Sequence, residues 1–197
     1  WAPDGRTLAV VRTVAGRNRL EFPIGKVLYE TSGWVGDPRF APDGGRIAFL
    51  DHPVWGDDGG NLAVVDLAGV MHTLTRNWSS VQGLAWHPSG REVWFTATRE
   101  GSARVLHAVT VEGRERAVFR MPGTSTLHDL AQDGRVLLSH HTLRREVHAR
   151  LPGLPDLRDL TWLDYSYPSD LADDGSAVFF AENGEGGGRG YAVYLRR

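Results

Sequence analysis

The apolar positions of this chain fall in short runs that are separated by turn-forming residues. One phrase recurs five times: an aromatic residue or leucine, then a turn rich in Pro, Asp and Gly, then a run of β-branched, aromatic or other apolar residues. The phrases occupy 1–11, 40–50, 86–96, 130–139 and 171–181. A turn whose glycine accepts a positive φ joins two antiparallel strands. Each phrase therefore predicts a β-hairpin, and we name its two strands A and B.

Further apolar runs follow the hairpins and predict two more strands, C and D. Residues 61–66 and 104–110 are examples of strand C, and residues 27–31 and 71–75 are examples of strand D. The anchor glycines of the five hairpin turns are Gly5, Gly44, Gly90, Gly134 and Gly175. Four strands in about 42 residues are typical of a β-propeller blade. Helical repeats need apolar stripes with a period of 3.6 residues, and the sequence contains none.

The pattern predicts a single all-β domain over residues 1–197, a β-propeller of about five four-stranded antiparallel blades. The predicted units are a partial blade at 1–31, blades at about 34–76, 77–121 and 123–160, and a partial blade at 161–197. The first unit lacks strand A and the last lacks strand D, while strands C and D of the fourth are poorly patterned. Because the chain opens inside a motif, we expect a fragment of a larger propeller or of a longer chain.

Charge and composition exclude several classes of function. The chain has 22 Lys and Arg against 24 Asp and Glu, a formal net charge of −2, so it offers no field that would hold a nucleic acid. No run of about 18 apolar residues is present, so we expect no direct membrane insertion by this segment. Cysteine is absent, which excludes disulfides, thiolate metal sites and cysteine nucleophiles. Its absence is compatible with the periplasm and the cytosol, with a preference for an extracytoplasmic location.

The Pro-Asp-Gly phrase followed by an Ile-Ala-Phe type of strand, as at 40–50, resembles the TolB-like, WD40-like (PD40) β-propeller repeat. Segments 45–53, 56–59, 63–69 and 83–86 resemble more narrowly the propeller region that follows the kinase domain in some bacterial serine/threonine protein kinases. The resemblance implies a non-catalytic binding or sensor module of a larger bacterial protein, such as a membrane-linked kinase. The same repeat also implies two alternatives: a TolB-like periplasmic envelope or translocation protein, and the gating propeller of a prolyl-oligopeptidase-type serine peptidase.

In such propellers the D-to-A and B-to-C connections open on one face, here named the loop face, and the A-to-B turns open on the opposite turn face. The loop-face connections combine aromatic, imidazole, amide and carboxylate groups, a mixture that suits recognition of a protein or peptide partner. The candidate contact residues are Trp34, Asp51, His52, Trp78, Gln82, His128, His140, Tyr165 and Glu182. Trp34, Trp78 and Trp162 recur near the starts of the A strands, which favours packing between blades over contact with a partner for these three, and their exposure decides between the two roles.

No catalytic residue, cofactor site or metal site is predicted. The sequence lacks G-x-S-x-G, H-E-x-x-H, the P-loop motif and the kinase motifs. Asp51, His52 and the 56–61 loop offer oxygen ligands to a divalent cation, but such Gly/Asp clusters are typical of Asx turns. His140 and His141 are neighbours on a strand and point to opposite sides, so they do not readily share an ion. The glycine-rich stretch 184–190 connects two predicted strands, which favours a loop over a phosphate site.

Overall fold

A computed structural model describes residues 1–101, 103–142, 144–150, 155–163, 165–182 and 192–197, and these residues form eighteen β-strands and no α-helix. The strands are β1 (Val10–Val14), β2 (Arg17–Glu21), β3 (Val27–Thr31), β4 (Trp34–Phe40), β5 (Arg46–His52), β6 (Gly60–Asp66), β7 (Met71–Trp78), β8 (Ser80–Trp86), β9 (Glu92–Thr98), β10 (Val105–Thr110), β11 (Glu115–Phe119), β12 (Thr124–Leu130), β13 (Val136–His141), β14 (His148–Arg150), β15 (Leu157–Asp159), β16 (Ser166–Leu171), β17 (Val178–Glu182) and β18 (Ala192–Arg196). None of the described residues forms a helix that is long and apolar enough to cross a membrane.

The strands pair with their chain neighbours into successive antiparallel sheets. Strands β1–β3 form blade 1, β4–β7 form blade 2 and β8–β11 form blade 3. In blade 4 the pairs β12–β13 and β14–β15 are two separate sheets, and β16–β18 form blade 5. The predicted all-β class with four-stranded antiparallel units and incomplete terminal ones is confirmed. The break inside blade 4 falls where strands C and D are poorly patterned.

The five anchor glycines occupy equivalent turns. Their φ angles are 66° at Gly5, 72° at Gly44, 67° at Gly90, 88° at Gly134 and 69° at Gly175. Each amide donates to the carbonyl three residues earlier, over 2.7–3.0 Å. In four of the turns an aspartate precedes the glycine, and its carboxylate accepts the amide two residues further on, as Asp43 does from Gly45 at 2.9 Å. In the third turn the Ser89 hydroxyl accepts the Arg91 amide in the same way. The recurring Asp-Gly pair is therefore explained by turn geometry.

The hydrophobic core lies between successive blades. In β5, Ile47 and Phe49 pack in a cluster with blade 1, whereas Ala48 and Leu50 pack in a cluster with blade 3. The same strand is therefore buried on both faces. Strands in such an environment are near-continuous apolar runs rather than alternating ones, which accounts for the B-strand pattern in the sequence.

The A strands β4, β8 and β12 are neighbours at the inner edge of blades 2, 3 and 4. Each has a shift of register in its middle, for example between Gln82 and Leu84 in β8. A bulge of this kind bends the strand and leaves one residue out of the sheet pairing. The connections that lead into these strands lie on the loop face. The bulges lie midway along the strands, between the loop face and the turn face.

Side chains of one blade accept backbone amides of the next. Asn18 accepts the Val35 amide at 2.8 Å, and Asp37 accepts the Gly83 amide at 2.7 Å. Thr96 Oγ1 accepts the Leu127 amide at 3.1 Å and donates to the Gln82 carbonyl. Buried amides require partners, and an A strand has a sheet neighbour on one side alone. We name these three contacts the inter-blade links.

Candidate functional site

The loop at 53–59, which connects β5 and β6, is the best-anchored feature of the loop face. The indole Nε1 of Trp34 donates to the Asp57 carbonyl at 2.9 Å, and the Asp57 carboxylate accepts the Gly59 amide at 2.6 Å. The Asp58 carbonyl accepts the Val81 amide of blade 3 at 2.8 Å. The Asp57 carboxylate thus forms the Asx turn that was the alternative to a cation site. Among the described residues, no group of three His, Cys, Asp or Glu is placed to hold a metal ion.

The tip of this loop presents two apolar side chains to solvent. Val54 is 60% exposed and Trp55 is 66% exposed. Trp55 is not among the contact residues that the sequence predicts, because the glycines and carboxylates around it favour a tight turn. The signal in the sequence that indicates an exposed Trp55 is its position in a Gly/Asp-rich connection, outside any strand.

His52 lies beneath Trp34 and is fully buried, with ring centroids 3.7 Å apart in a stacked arrangement. Its Nδ1 donates to the Gly59 carbonyl at 3.1 Å, while Nε2 has no hydrogen-bond partner among the described residues. Burial lowers the pKa of His52 below its ordinary value of 6.5, although Asp37, Asp51 and Asp58 oppose this shift. His52 therefore supports the loop from below, and the expectation that it contacts a partner is wrong because its side chain is enclosed.

We expect the protein to lose stability in mild acid partly through His52. Above pH 6.5 the imidazole is neutral in both the folded and the unfolded chain. As the pH falls below 6.5, the unfolded chain binds the proton first, because the folded-state pKa is lower, so the free energy of unfolding decreases. Urea unfolding at pH 7.5 and 5.5 measures this difference. It should shrink in His52→Gln and persist in His72→Gln, whose side chain is exposed; an unchanged difference in His52→Gln would exclude the histidine as its source.

Arg104 organises the part of the loop face nearest the A strands. Its side chain is 11% exposed, and Nη1 donates to Ser80 at 2.9 Å and to the Asp58 carboxylate at 3.4 Å. Nε donates to the Ser125 carbonyl at 3.2 Å, and Nη2 donates to Thr126 at 3.2 Å. These partners belong to blades 2, 3 and 4. One guanidinium thus connects three blades.

Of the remaining residues predicted in blades 2 and 3, Gln82 and Asp51 belong to the same surface, whereas Trp78 does not. Gln82 donates to the Asp58 carboxylate at 3.2 Å, so it belongs to the Arg104 cluster. Asp51 accepts the Tyr29 hydroxyl at 2.9 Å, and burial together with this bond raises the pKa of Tyr29 to about 12. Trp78 is 4% exposed and lies in the core cluster between blades 2 and 3, where it packs against Phe95. The packing role is therefore the one that the structure gives to Trp78.

The residues predicted in blades 4 and 5 do not join this surface. His128 and His140 are exposed, and His128 contacts Ser139 at 2.9 Å. Glu182 is fully buried and accepts the Tyr165 amide and the Ser166 hydroxyl, so the expectation that it contacts a partner is wrong. The loop-face positions Asp164 and Asn183 and the stretch 184–190 lie outside the described residues.

Several solved structures contain a similar succession of antiparallel sheets. TolB from Acinetobacter baumannii matches with a TM-score of 0.50 at 15% identity, over 91% of this chain and 45% of that chain. A putative TolB from Agrobacterium tumefaciens has a TM-score of 0.51 at 18% identity, over 92% of this chain and 67% of that chain. A puromycin-hydrolyzing peptidase from Mycobacterium tuberculosis has a TM-score of 0.51 at 18% identity, over 95% of this chain and 33% of that chain.

The fold is that of a β-propeller. The chain spans less than half the length of the first and third of these proteins and two thirds of the second. No family model matches the sequence, and no curated protein matches it. The likeness therefore shows the propeller fold, and function has to be argued from the surface itself.

Proposed function

We propose that this propeller is a binding module that recognises a protein or peptide partner at its loop face. The observation that carries the proposal is Trp55, an exposed tryptophan on a loop that Asp57 and Asp58 anchor to its surroundings. Tryptophan is enriched among the residues that dominate protein interfaces. Asp57 and Asp58 anchor the loop to Trp34 and to blade 3, so little conformational entropy is lost when Trp55 is covered.

The turn face offers a useful contrast. Its A-to-B turns are short, and each is closed by a hydrogen bond from the glycine amide to the carbonyl three residues earlier. The loop face carries the longer 53–59 connection, the Arg104 cluster and the exposed pair Val54 and Trp55. Variety from blade to blade suits an asymmetric partner, whereas repetition of similar turns does not.

We predict that Trp55→Ala removes most of the affinity for peptides selected on this surface. Selection of a random peptide library on the immobilised protein supplies the ligands, and calorimetry measures their dissociation constants. Loss of one interface tryptophan is expected to weaken binding by about thirtyfold, which is typical of a dominant interface residue.

The matched control is Ile24→Ala, which removes a comparably exposed apolar side chain from the C-to-D turn of blade 1 on the opposite face. Selected peptides should bind this variant with unchanged affinity. If Ile24→Ala abolishes binding while Trp55→Ala does not, the partner surface lies on the turn face and the proposal is wrong.

The proposed module binds and does not catalyse. The shifted carboxyl pKa values serve structural contacts: the bonds of Glu21 to Arg12 and to the Gly25 amide lower its pKa, and the bonds of Asp174 to Ser176 lower its own. We expect the purified chain to hydrolyse neither ATP nor peptides. Turnover that survives repurification and disappears on mutation of one residue would show that it is an enzyme.

The wider protein in which the module acts stays a prediction. A membrane-linked serine/threonine kinase, a TolB-like envelope protein and a prolyl-oligopeptidase-type peptidase each contain a propeller of this repeat. The flanking gene sequence distinguishes them, since an upstream kinase domain with a membrane span, an upstream signal peptide or a downstream G-x-S-x-G motif would each select one.

A further inference from the structure

The imidazole of His52 lies in an enclosed position between strand β4 and the start of β6. On the β4 side, a Cβ at Gly36 would lie 3.0 Å from Nε2. On the β6 side, a Cβ at Gly60 would lie 3.0 Å from Nδ1. Both ring nitrogens therefore face backbone at positions where glycine leaves them space, and solvent does not reach the ring.

The same imidazole supports two contacts that hold the 53–59 loop on blade 2. Its Nδ1 donates to the Gly59 carbonyl at 3.1 Å. Its face stacks against the Trp34 indole, with ring centroids 3.7 Å apart, and that indole donates to the Asp57 carbonyl at 2.9 Å. Movement of His52 therefore removes the first contact directly and the support of the second. Because Trp55 is on this loop, its position depends on both contacts.

This position accommodates the neutral imidazole better than its cation. In the neutral ring the proton is on Nδ1, where the Gly59 carbonyl accepts it, and Nε2 carries a lone pair without a hydrogen-bond partner among the described residues. Protonation adds a second N–H and a positive charge at Nε2. An enclosed, charged N–H without an acceptor is unfavourable. The cation is therefore more stable when the ring has moved out into water.

Three carboxylates face the imidazole from the elements around it: Asp37 on β4, Asp51 on β5 and Asp58 on the loop. Burial lowers the pKa of His52, and these carboxylates oppose that shift because they favour the cation. A ring that becomes exposed loses the desolvation penalty but remains near the carboxylates. Their charges thus stabilise the protonated, displaced form of the side chain.

We propose that His52 is a pH switch for the loop face: protonation in mild acid displaces its imidazole, releases the 53–59 loop from blade 2 and weakens partner binding at Trp55. The inference rests on the proposed function and adds its regulation. An exposed histidine titrates at about pH 6.5, whereas the enclosed ring resists the proton. Opening of the loop therefore becomes about tenfold more favourable between pH 7.5 and 5.5. A partner is held at neutral pH and released as the pH falls.

Solvent exchange of two indole N–H groups, measured by NMR on the complete ¹⁵N-labelled chain, tests the switch without any change to His52. The Trp34 indole, which donates to the loop, should lose about tenfold of its protection between pH 7.5 and 5.5, after correction for the intrinsic exchange rate. The Trp78 indole donates to Thr75 inside the core and should keep its protection. Trp34→Phe and Trp78→Phe assign the two signals. Unchanged protection at Trp34, or an equal loss at both indoles, would overturn the proposal.

Peptide affinity provides the second measurement. A peptide without histidine that is selected at pH 7.5 and needs Trp55 should bind more weakly at pH 5.5, by up to about tenfold. This difference should disappear in His52→Gln, which cannot take up the proton, and persist in His72→Gln, whose side chain is exposed. Equal affinity at the two pH values, or an equal difference in His52→Gln, would overturn the switch.

Failure of the switch and failure of the proposed function give different results. If the switch fails, peptides that need Trp55 still bind at pH 7.5, and acid does not release them. If the proposed function fails, no selected peptide needs Trp55, while the Trp34 indole still loses protection in acid.

Discussion

Gly83→Ala is expected to lower the free energy of unfolding by about 4 kcal/mol, as the sum of a left-handed backbone and an overlap that the core cannot relieve. Gly83 has a φ of +74° at the bulge of β8. A Cβ there would overlap the Leu127 carbonyl oxygen and lie 2.9 Å from the Leu127 amide nitrogen. The backbones of blades 3 and 4 approach so closely that one of them has to move. Guanidinium-induced unfolding measures the loss.

Gly134→Ala is the control that separates the two contributions. Gly134 has a φ of +88°, but a Cβ there would have no atom within 4 Å. Gly134→Ala should therefore lower the free energy of unfolding by about 1 kcal/mol, which is the cost of the backbone conformation alone. Equal losses in Gly83→Ala and Gly134→Ala would show that blades 3 and 4 do not meet as closely as the structure indicates.

Arg104→Met should destabilise the protein by about 3 kcal/mol, because it removes the nearly buried guanidinium from a partly buried network that joins three blades. Methionine keeps the apolar stem but removes the donor to Ser80 and Thr126, and it removes one of three donors to the Asp58 carboxylate, which keeps Ser80 and Gln82. Since the partners belong to three blades, the loss should appear in the unfolding transition of the whole chain. Chemical denaturation followed by circular dichroism and by tryptophan fluorescence measures it.

Arg114→Met provides the comparison at an exposed position of the same blade. The Arg114 side chain is 80% exposed and lies 3.6 Å from Glu112. Exposed ion pairs of this kind contribute little to stability, so the unfolding midpoint of Arg114→Met should match that of the unchanged protein. A midpoint for Arg104→Met as high as that of Arg114→Met would mean that the three-blade contact does not stabilise the fold.

The fold is predictable from sequence because the turns and strands obey local rules. Gly44 and Asp43 are recognisable since a tight turn needs a positive φ and a carboxylate that accepts the following amide. The apolar run at 47–50 is recognisable since both of its faces are buried. In blade 4 the apolar pattern of strands C and D is weak, so the sequence predicts them poorly. These are the strands β14 and β15, which are separate from the sheet of β12 and β13.

The site is less predictable because its residues meet across blades. Nothing in the neighbourhood of Arg104 indicates that its partners lie at Asp58 and Thr126, which are far away along the chain. His52 and Glu182 are polar and lie at strand ends, so sequence places them on the surface, whereas packing encloses them. Exposure is a property of the assembled blades, and it decides that Trp78 packs in the core while Trp55 faces solvent.

The inter-blade links have a consequence for how such repeats diverge. In each link the hydrogen-bond donor is a backbone amide, at Val35, Gly83 or Leu127, and every residue except proline carries one. The hydrogen bond itself therefore places no demand on the side chain at the donor position, although close packing against Leu127 separately restricts Gly83. The acceptor position has to retain a side-chain oxygen, as Asn18, Asp37 and Thr96 do by different chemistry. Neighbouring blades can thus drift apart in sequence without losing their attachment, which keeps a repeated architecture intact after its repeats have become hard to align.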